Sequence, residues 1–143
     1  QPEESRAVEW VAYASNAFNT MVPFYANVER TPEYLANTTG TVSTDNFYWT
    51  SRLIAAMADA SYNKSLFHLE RYEEAVLSAA RALVNQYDAK LAAEPDAASR
   101  AALREEANTA IAAELKKRAS DTLDKVLFEL SSGMKNAYAR SDA

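Results

Sequence analysis

Between Asn63 and Leu130 apolar residues recur at intervals of three and four, and the pattern breaks once, at Glu94-Pro95-Asp96. Leu66, Leu69, Tyr72, Val76, Ala79, Leu83, Tyr87 and Leu91 form a stripe before the break. Leu103, Ala107, Ile111, Leu115, Ala119, Thr122 or Leu123, Val126, Leu130 and Met134 form another after it. This is the period of an α-helix with one buried face. Pro95 lacks the N–H that a continuing helix needs, and Asp96 has the oxygen to accept from the first free amides of the next one. The pattern predicts a long antiparallel helical hairpin, capped at Ser61 or Asn63, running to about Ala93, then from Asp96 to about Leu130, with Gly133 ending or kinking it. At 1.5 Å per residue each arm is on the order of 40 Å or more. Arms of that length outrun a compact core of 143 residues, so they are expected to project or to lie along another domain or subunit. With only 2 glycines and 4 prolines in the chain, few turns compete with this reading.

The first third of the chain is less regular. Thr44 or Asp45 is placed to cap a helix over about Asn46 to Ala60, with Tyr48 or Trp49, Leu53, Ile54, Met57 and Ala58 as its apolar face. Thr31-Pro32-Glu33 supplies a cap, a first-turn proline and an acid for a short helix that ends by Asn37 to Gly40. Val8 to Ser15 (VEWVAYAS) alternates in a β-favouring stretch and reads as a strand. Asn16 to Asn27 is apolar without a clean period and is broken by Pro23, so it reads as a packed aromatic loop, and no second strand is evident. A lone strand exposes two edges, so this one is expected to belong to a sheet formed mainly upstream. The fold class expected is therefore mainly α: one N-terminal strand and an irregular loop, a short helix, a medium helix and the long hairpin. Residues 1–43 and 44–143 are the expected division.

Composition removes several functions. A net charge of -5 speaks against nucleic acid, which calls for a clustered basic face, and against anionic membranes. QPEESRAVEW at the start has neither the basic residues nor the apolar run of a secretory leader, so a cytoplasmic location is the expectation, with an extracellular one left open. With 0 cysteines, this chain supplies no disulfide, thiolate ligand or thiol nucleophile. His68 is the sole histidine; without a serine or cysteine at a recognisable elbow it forms no triad and reads as a surface or packing residue. Glu70, Glu73 and Glu74 lack an ExxH or HExxH partner, so no metal site and no cofactor are expected. Glu105-Glu106 and Lys116-Lys117-Arg118 are charge runs of the kind a solvated helix face carries. The stretch after the strand differs. There Ser15, Asn16, Asn19 and Asn27 interleave with Phe18, Pro23, Phe24 and Tyr25, and sites concentrate on such loops; a loop packed under the helices is the equal alternative.

Taken together, Trp10-Val11-Ala12, Ser15-Asn16-Ala17-Phe18-Asn19, Val22-Pro23-Phe24-Tyr25, Thr31-Pro32-Glu33-Tyr34, Asn46-Phe47-Tyr48-Trp49, Arg52-Leu53 and Asp59 to Tyr62 resemble the C-terminal part of bacterial dipeptidases of the C69 type. The resemblance covers Val8 to Tyr62, and the two long helices match in character only. It implies an N-terminal-nucleophile hydrolase with an αββα sandwich, in which the thiol of an N-terminal cysteine attacks the peptide carbonyl and its own α-amino group is the base. This chain starts at Gln1 and has no cysteine, so the nucleophile is expected upstream in the same polypeptide, and no residue here is assigned a catalytic role. Asn16, Asn19, Phe24 and Tyr25 are the candidates for shaping the dipeptide pocket. A homo-oligomer contact along the hairpin is also expected, since long apolar stripes need cover. Two other readings stay open. One is a non-catalytic helical module that docks a protein partner; the other is an amphipathic surface binder, which Trp10, Trp49 and the proline-broken loop disfavour.

Overall fold

A computed structural model describes residues 7–13 and 18–134. In chain order the elements are β1 (Val8–Val11), β2 (Val22–Tyr25), α1 (Glu33–Ala36), α2 (Phe47–Ala60), α3 (Tyr62–Ala93) and α4 (Ala97–Ser132). Helices α3 and α4 form the antiparallel hairpin that the spacing predicts. Asp96 caps α4, its carboxylate accepting from Ser99 N at 2.9 Å, and Gly133 follows its last residue. At 1.5 Å per residue, the 32 residues of α3 and 36 of α4 are about 48 and 54 Å long. Their facing stripes hold Leu69, Tyr72, Val76, Tyr87 and Leu91 on α3, and Ala107, Ile111, Leu115, Ala119 and Val126 on α4, all buried.

The connection into α3 is shorter than its caps suggest. Ser61 alone separates α2 from α3, and its hydroxyl donates to Met57 O at 2.8 Å instead of capping the new helix. The chain therefore doubles back, and α2 lies along α4. The cap of α2 is Asn46, one residue later than Asp45: its side chain accepts from Trp49 N at 2.9 Å, and it is buried, while Asp45 stays exposed. The buried face of α2 correspondingly includes Phe47, Thr50, Ser51 and Ala55 beside the expected Ile54 and Ala58. In α1, Pro32 itself holds the N-cap position, and no side chain, Thr31 included, caps that helix.

The main departure from the sequence reading is a second strand. β1 is antiparallel to β2, pairing Val8 with Tyr25, Glu9 with Phe24, Trp10 with Pro23 and Val11 with Val22. β1 is also shorter than expected, ending at Val11, and Ala14 and Ser15 lie outside the described residues. The apolar run Val22 to Tyr25 hides its strand character because all four residues are buried, on both faces, so polar and apolar positions do not alternate. On one face Val22 and Phe24 join the larger core with Tyr34, Phe47, Ile54, Tyr72, Ile111 and Leu115; on the other, Tyr25 joins Tyr87, Leu91 and Ala107. The strand is thus wedged into the helical hairpin, and side chains from both sides of position 43 share the larger core.

Candidate functional site

Tyr25 is the point at which the strands are fastened to the helices. Its N–H donates to Asn108 Oδ1 at 2.8 Å, and Asn108 Nδ2 donates to Tyr25 O at 2.9 Å. One buried carboxamide on α4 thereby satisfies both backbone groups that Tyr25 turns away from β1, as a neighbouring strand would. The Tyr25 hydroxyl donates to Asp88 Oδ1 at 2.6 Å, with Val84 O at 3.1 Å. Burial, the bond to Asp88 and the negative charge of that carboxylate push the phenol well above its ordinary range. Around this point Arg104 Nε donates to Asn27 O at 3.0 Å, which ties the chain leaving β2 to α4 as well.

The other candidates of the β1–β2 segment are placed differently. Phe24 is buried on the opposite face of β2 from Tyr25, so the two side chains enter different clusters. Asn19 Oδ1 accepts from Thr20 N at 2.8 Å, and its Nδ2 is buried with no hydrogen-bond partner among the described residues. Asn16 lies outside the described residues.

At the other end of the bundle α3 and α4 enclose a hollow of about 450 Å³ lined by Phe67, His68, Arg71, Arg118, Asp121 and Lys125, among others. His68 Nε2 lies 3.1 Å from Glu129 Oε1, Lys125 Nζ donates to Asp121 Oδ2 at 2.7 Å, and Arg118 Nε donates to Glu114 Oε1 at 2.9 Å. Arg71 stacks its guanidinium 4.2 Å from the Phe67 ring centre. These groups satisfy one another, and that pairing makes the hollow a seam of the hairpin more than a receptor. The His68–Glu129 contact escaped the sequence reading, although folding the two stripes at Pro95 sets those positions opposite each other. No cluster of three or more acidic or histidine ligands occurs among the described residues, and no described helix is long and apolar enough to cross a membrane.

The sequence profile of Peptidase family C69 matches residues 1–75, from the start of the chain into α3, and so takes in both strands and the Tyr25 end of the fastening. The chain belongs to this family. A protein named Probable dipeptidase A from Streptococcus pyogenes serotype M18 (strain MGAS8232) is 40% identical over 142 residues, covering 99% of this chain and 29% of its own length. A protein named Dipeptidase from Bifidobacterium longum (strain NCC 2705) is 35% identical over 179 residues, covering 99% of the chain and 34% of its own length. Dipeptidase A of Lactobacillus helveticus is 39% identical over 61 residues, or 43% of the chain. This C69 chain thus spans about a third of the length of the first two relatives. The sequence resemblance over Val8 to Tyr62 falls inside the matched region. The far part of the helical hairpin lies beyond the family profile but within the streptococcal and bifidobacterial alignments.

Proposed function

We propose that this C69 chain is the helical C-terminal part of a cysteine-dependent dipeptidase whose nucleophile lies elsewhere in the same polypeptide. The observation that carries the reading is the family match over residues 1–75, combined with near-complete coverage of the chain by relatives named dipeptidases, of whose own length the matches cover 29% and 34%. In this reading the parent is an N-terminal-nucleophile hydrolase, and β1 and β2 contribute to its αββα sandwich. The α-amino group of the nucleophile's own residue is suited to act as base because such groups titrate at about 8. The present chain, with 0 cysteines, contributes scaffold and pocket wall.

Asn16 and Asn19 are then the polar side of that wall. The Nδ2 of Asn19, buried and without a hydrogen-bond partner among the described residues, supports this, since a buried donor calls for an acceptor. Phe24 and Tyr25 shape the pocket from behind by fixing β2 against the helices. The test is hydrolysis of unblocked dipeptides by the long polypeptide and by residues 1–143 alone. Turnover by the long form only is expected. Turnover by residues 1–143 alone, or none by the long form, overturns the reading. Asn19→Ala is expected to raise KM about tenfold in the long form, as loss of one directed hydrogen bond does.

A second reading, a helical docking module, draws on one observation: Phe67 and Phe128 are 54% and 69% exposed beside His68. In the long form that patch would serve contact between subunits, which sedimentation of a Phe67→Ser/Phe128→Ser variant tests.

A further inference from the structure

Thr20 and Val22 are buried, and Met21 between them is 53% exposed. That alternation carries the β2 pattern back beyond its first residue, so Met21 falls on the face of Pro23 and Tyr25, opposite Val22 and Phe24. Asn19, two residues before Met21, falls on the same side. Trp10 pairs across with Pro23 and is 44% exposed, which makes it the diagonal neighbour of Met21 on that face. The guanidinium of Arg81, on α3, lies 6.0 Å from the centre of the Trp10 ring, and among the described residues no carboxylate pairs with it. The face is closed at its Tyr25 end, where the phenol meets Val84 and Asp88, and exposed at its Met21 end.

We propose that Met21 and Trp10 are the apolar subsite of the dipeptide pocket and select dipeptides whose C-terminal residue is bulky and apolar, with Arg81 placed to receive that residue's carboxylate. The inference rests on reading the chain as part of a dipeptidase with Asn19 in its pocket wall. Three unlike groups share one face: a buried amide donor without a partner among the described residues, an apolar pair in reach of solvent, and a cation without a described carboxylate. A free dipeptide brings the complement of each in one small molecule: a carbonyl acceptor, a side chain and an anionic terminus. The two apolar residues also suit the task. A tryptophan offers a wide flat surface, and a methionine, unbranched and polarisable, adjusts to the shape placed on it, so leucine and phenylalanine side chains are both accommodated. An aspartate side chain is disfavoured, because Arg81 is already engaged by the terminal carboxylate and the remaining wall is apolar.

Hydrolysis of Ala-Leu, Ala-Phe, Ala-Ala and Ala-Asp by the long polypeptide tests this. kcat/KM is expected to be about tenfold or more higher for Ala-Leu and Ala-Phe than for Ala-Ala, and lowest for Ala-Asp. Met21→Gln keeps the length of the side chain and makes it polar. It is expected to cut kcat/KM for Ala-Leu about tenfold, and for Ala-Ala by less than about twofold. Trp10→Ala is expected to do the same. Arg81→Gln separates the anion from the side chain: the unaltered long form should prefer Ala-Leu to its C-terminal amide, and this variant should treat the two alike. A ratio of Ala-Leu to Ala-Ala that Met21→Gln and Trp10→Ala leave unchanged, in a preparation that hydrolyses both, overturns the subsite and leaves the functional reading intact. Equal losses on every dipeptide, together with lower stability in urea, assign both side chains to packing against the rest of the polypeptide and overturn it as well. Absence of hydrolysis of any dipeptide sinks the functional reading, and this inference with it.

Discussion

Asn108 sits in the middle of a long helix, where an asparagine has no favourable local role, and its two partners are 83 residues earlier in the chain. Nothing in the spacing of α4 marks it out, because an isolated polar residue among alanines looks like one more solvated position. Burial makes it decisive. Asn108→Ala leaves the N–H and the carbonyl of Tyr25 without partners in a dry site, and each such orphan costs about 1–3 kcal/mol. A loss of about 3 kcal/mol in urea-unfolding free energy is expected; a loss below about 1 kcal/mol would mean that water replaces the carboxamide. Tyr25→Phe removes a smaller quantity, the hydroxyl donated to Asp88, for which about 2 kcal/mol is expected since the acceptor is ionised. The packing role of Phe24 and Tyr25 was half legible: their hydrophobic character pointed to a packed segment. The direction of each side chain required knowing that the segment is a strand.

Among the elements, the helical hairpin was legible because amphipathic spacing persists over many turns and the break at Pro95 is unambiguous. β2 was not legible, since four residues buried on both faces carry no alternation. The cap of α2 was missed by one residue because Thr44, Asp45 and Asn46 are all good capping types. Burial decides among them: Asn46 is 1% exposed and Asp45 lies on the surface, 3.9 Å from Lys116. Asn46→Ala is expected to cost about 1 kcal/mol, and Asp45→Ala within about 0.5, by thermal unfolding. The stripe on α4 permits a sharper comparison. Leu115, 1% exposed, lies in the larger core, and Phe128, 69% exposed, lies off the stripe. Leu115→Ala is expected to lose about 2–5 kcal/mol through transfer and cavity terms, whereas Phe128→Ala should change stability by about 0.5 kcal/mol or less. Equal losses at the two positions would place Phe128 in a buried contact and refute the assigned face.

For the molecule as a whole, the joints between elements are made by tyrosines, and that gives the fold a directional pH dependence. Tyr25 joins β2 to α3, while Tyr34 on α1 and Tyr72 on α3 meet in the larger core. Burial raises all three phenols above the ordinary value, with Asp88 adding to the effect at Tyr25 and the neighbouring Tyr34 adding to it at Tyr72. The sign follows from proton counting. Below about pH 10 folded and unfolded chains both keep these protons; above it the unfolded chain releases them and the folded chain does not, so stability falls with rising pH. Unfolding free energy measured in urea should therefore be level between about pH 7 and 9 and decline steeply beyond about pH 10. The loss should coincide with phenolate absorbance, because ionising a buried tyrosine requires opening the core around it. Tyr72→Phe keeps the ring and removes both the proton and a buried hydroxyl that lacks a partner among the described residues. It should be neutral to stabilising at pH 7 and should flatten the alkaline decline. Tyr25→Phe should flatten the same limb from a lower starting stability, since it also gives up the bond to Asp88. An alkaline limb unchanged in both variants would locate the pH sensitivity in other groups and separate it from the joints that hold strands, short helix and hairpin together.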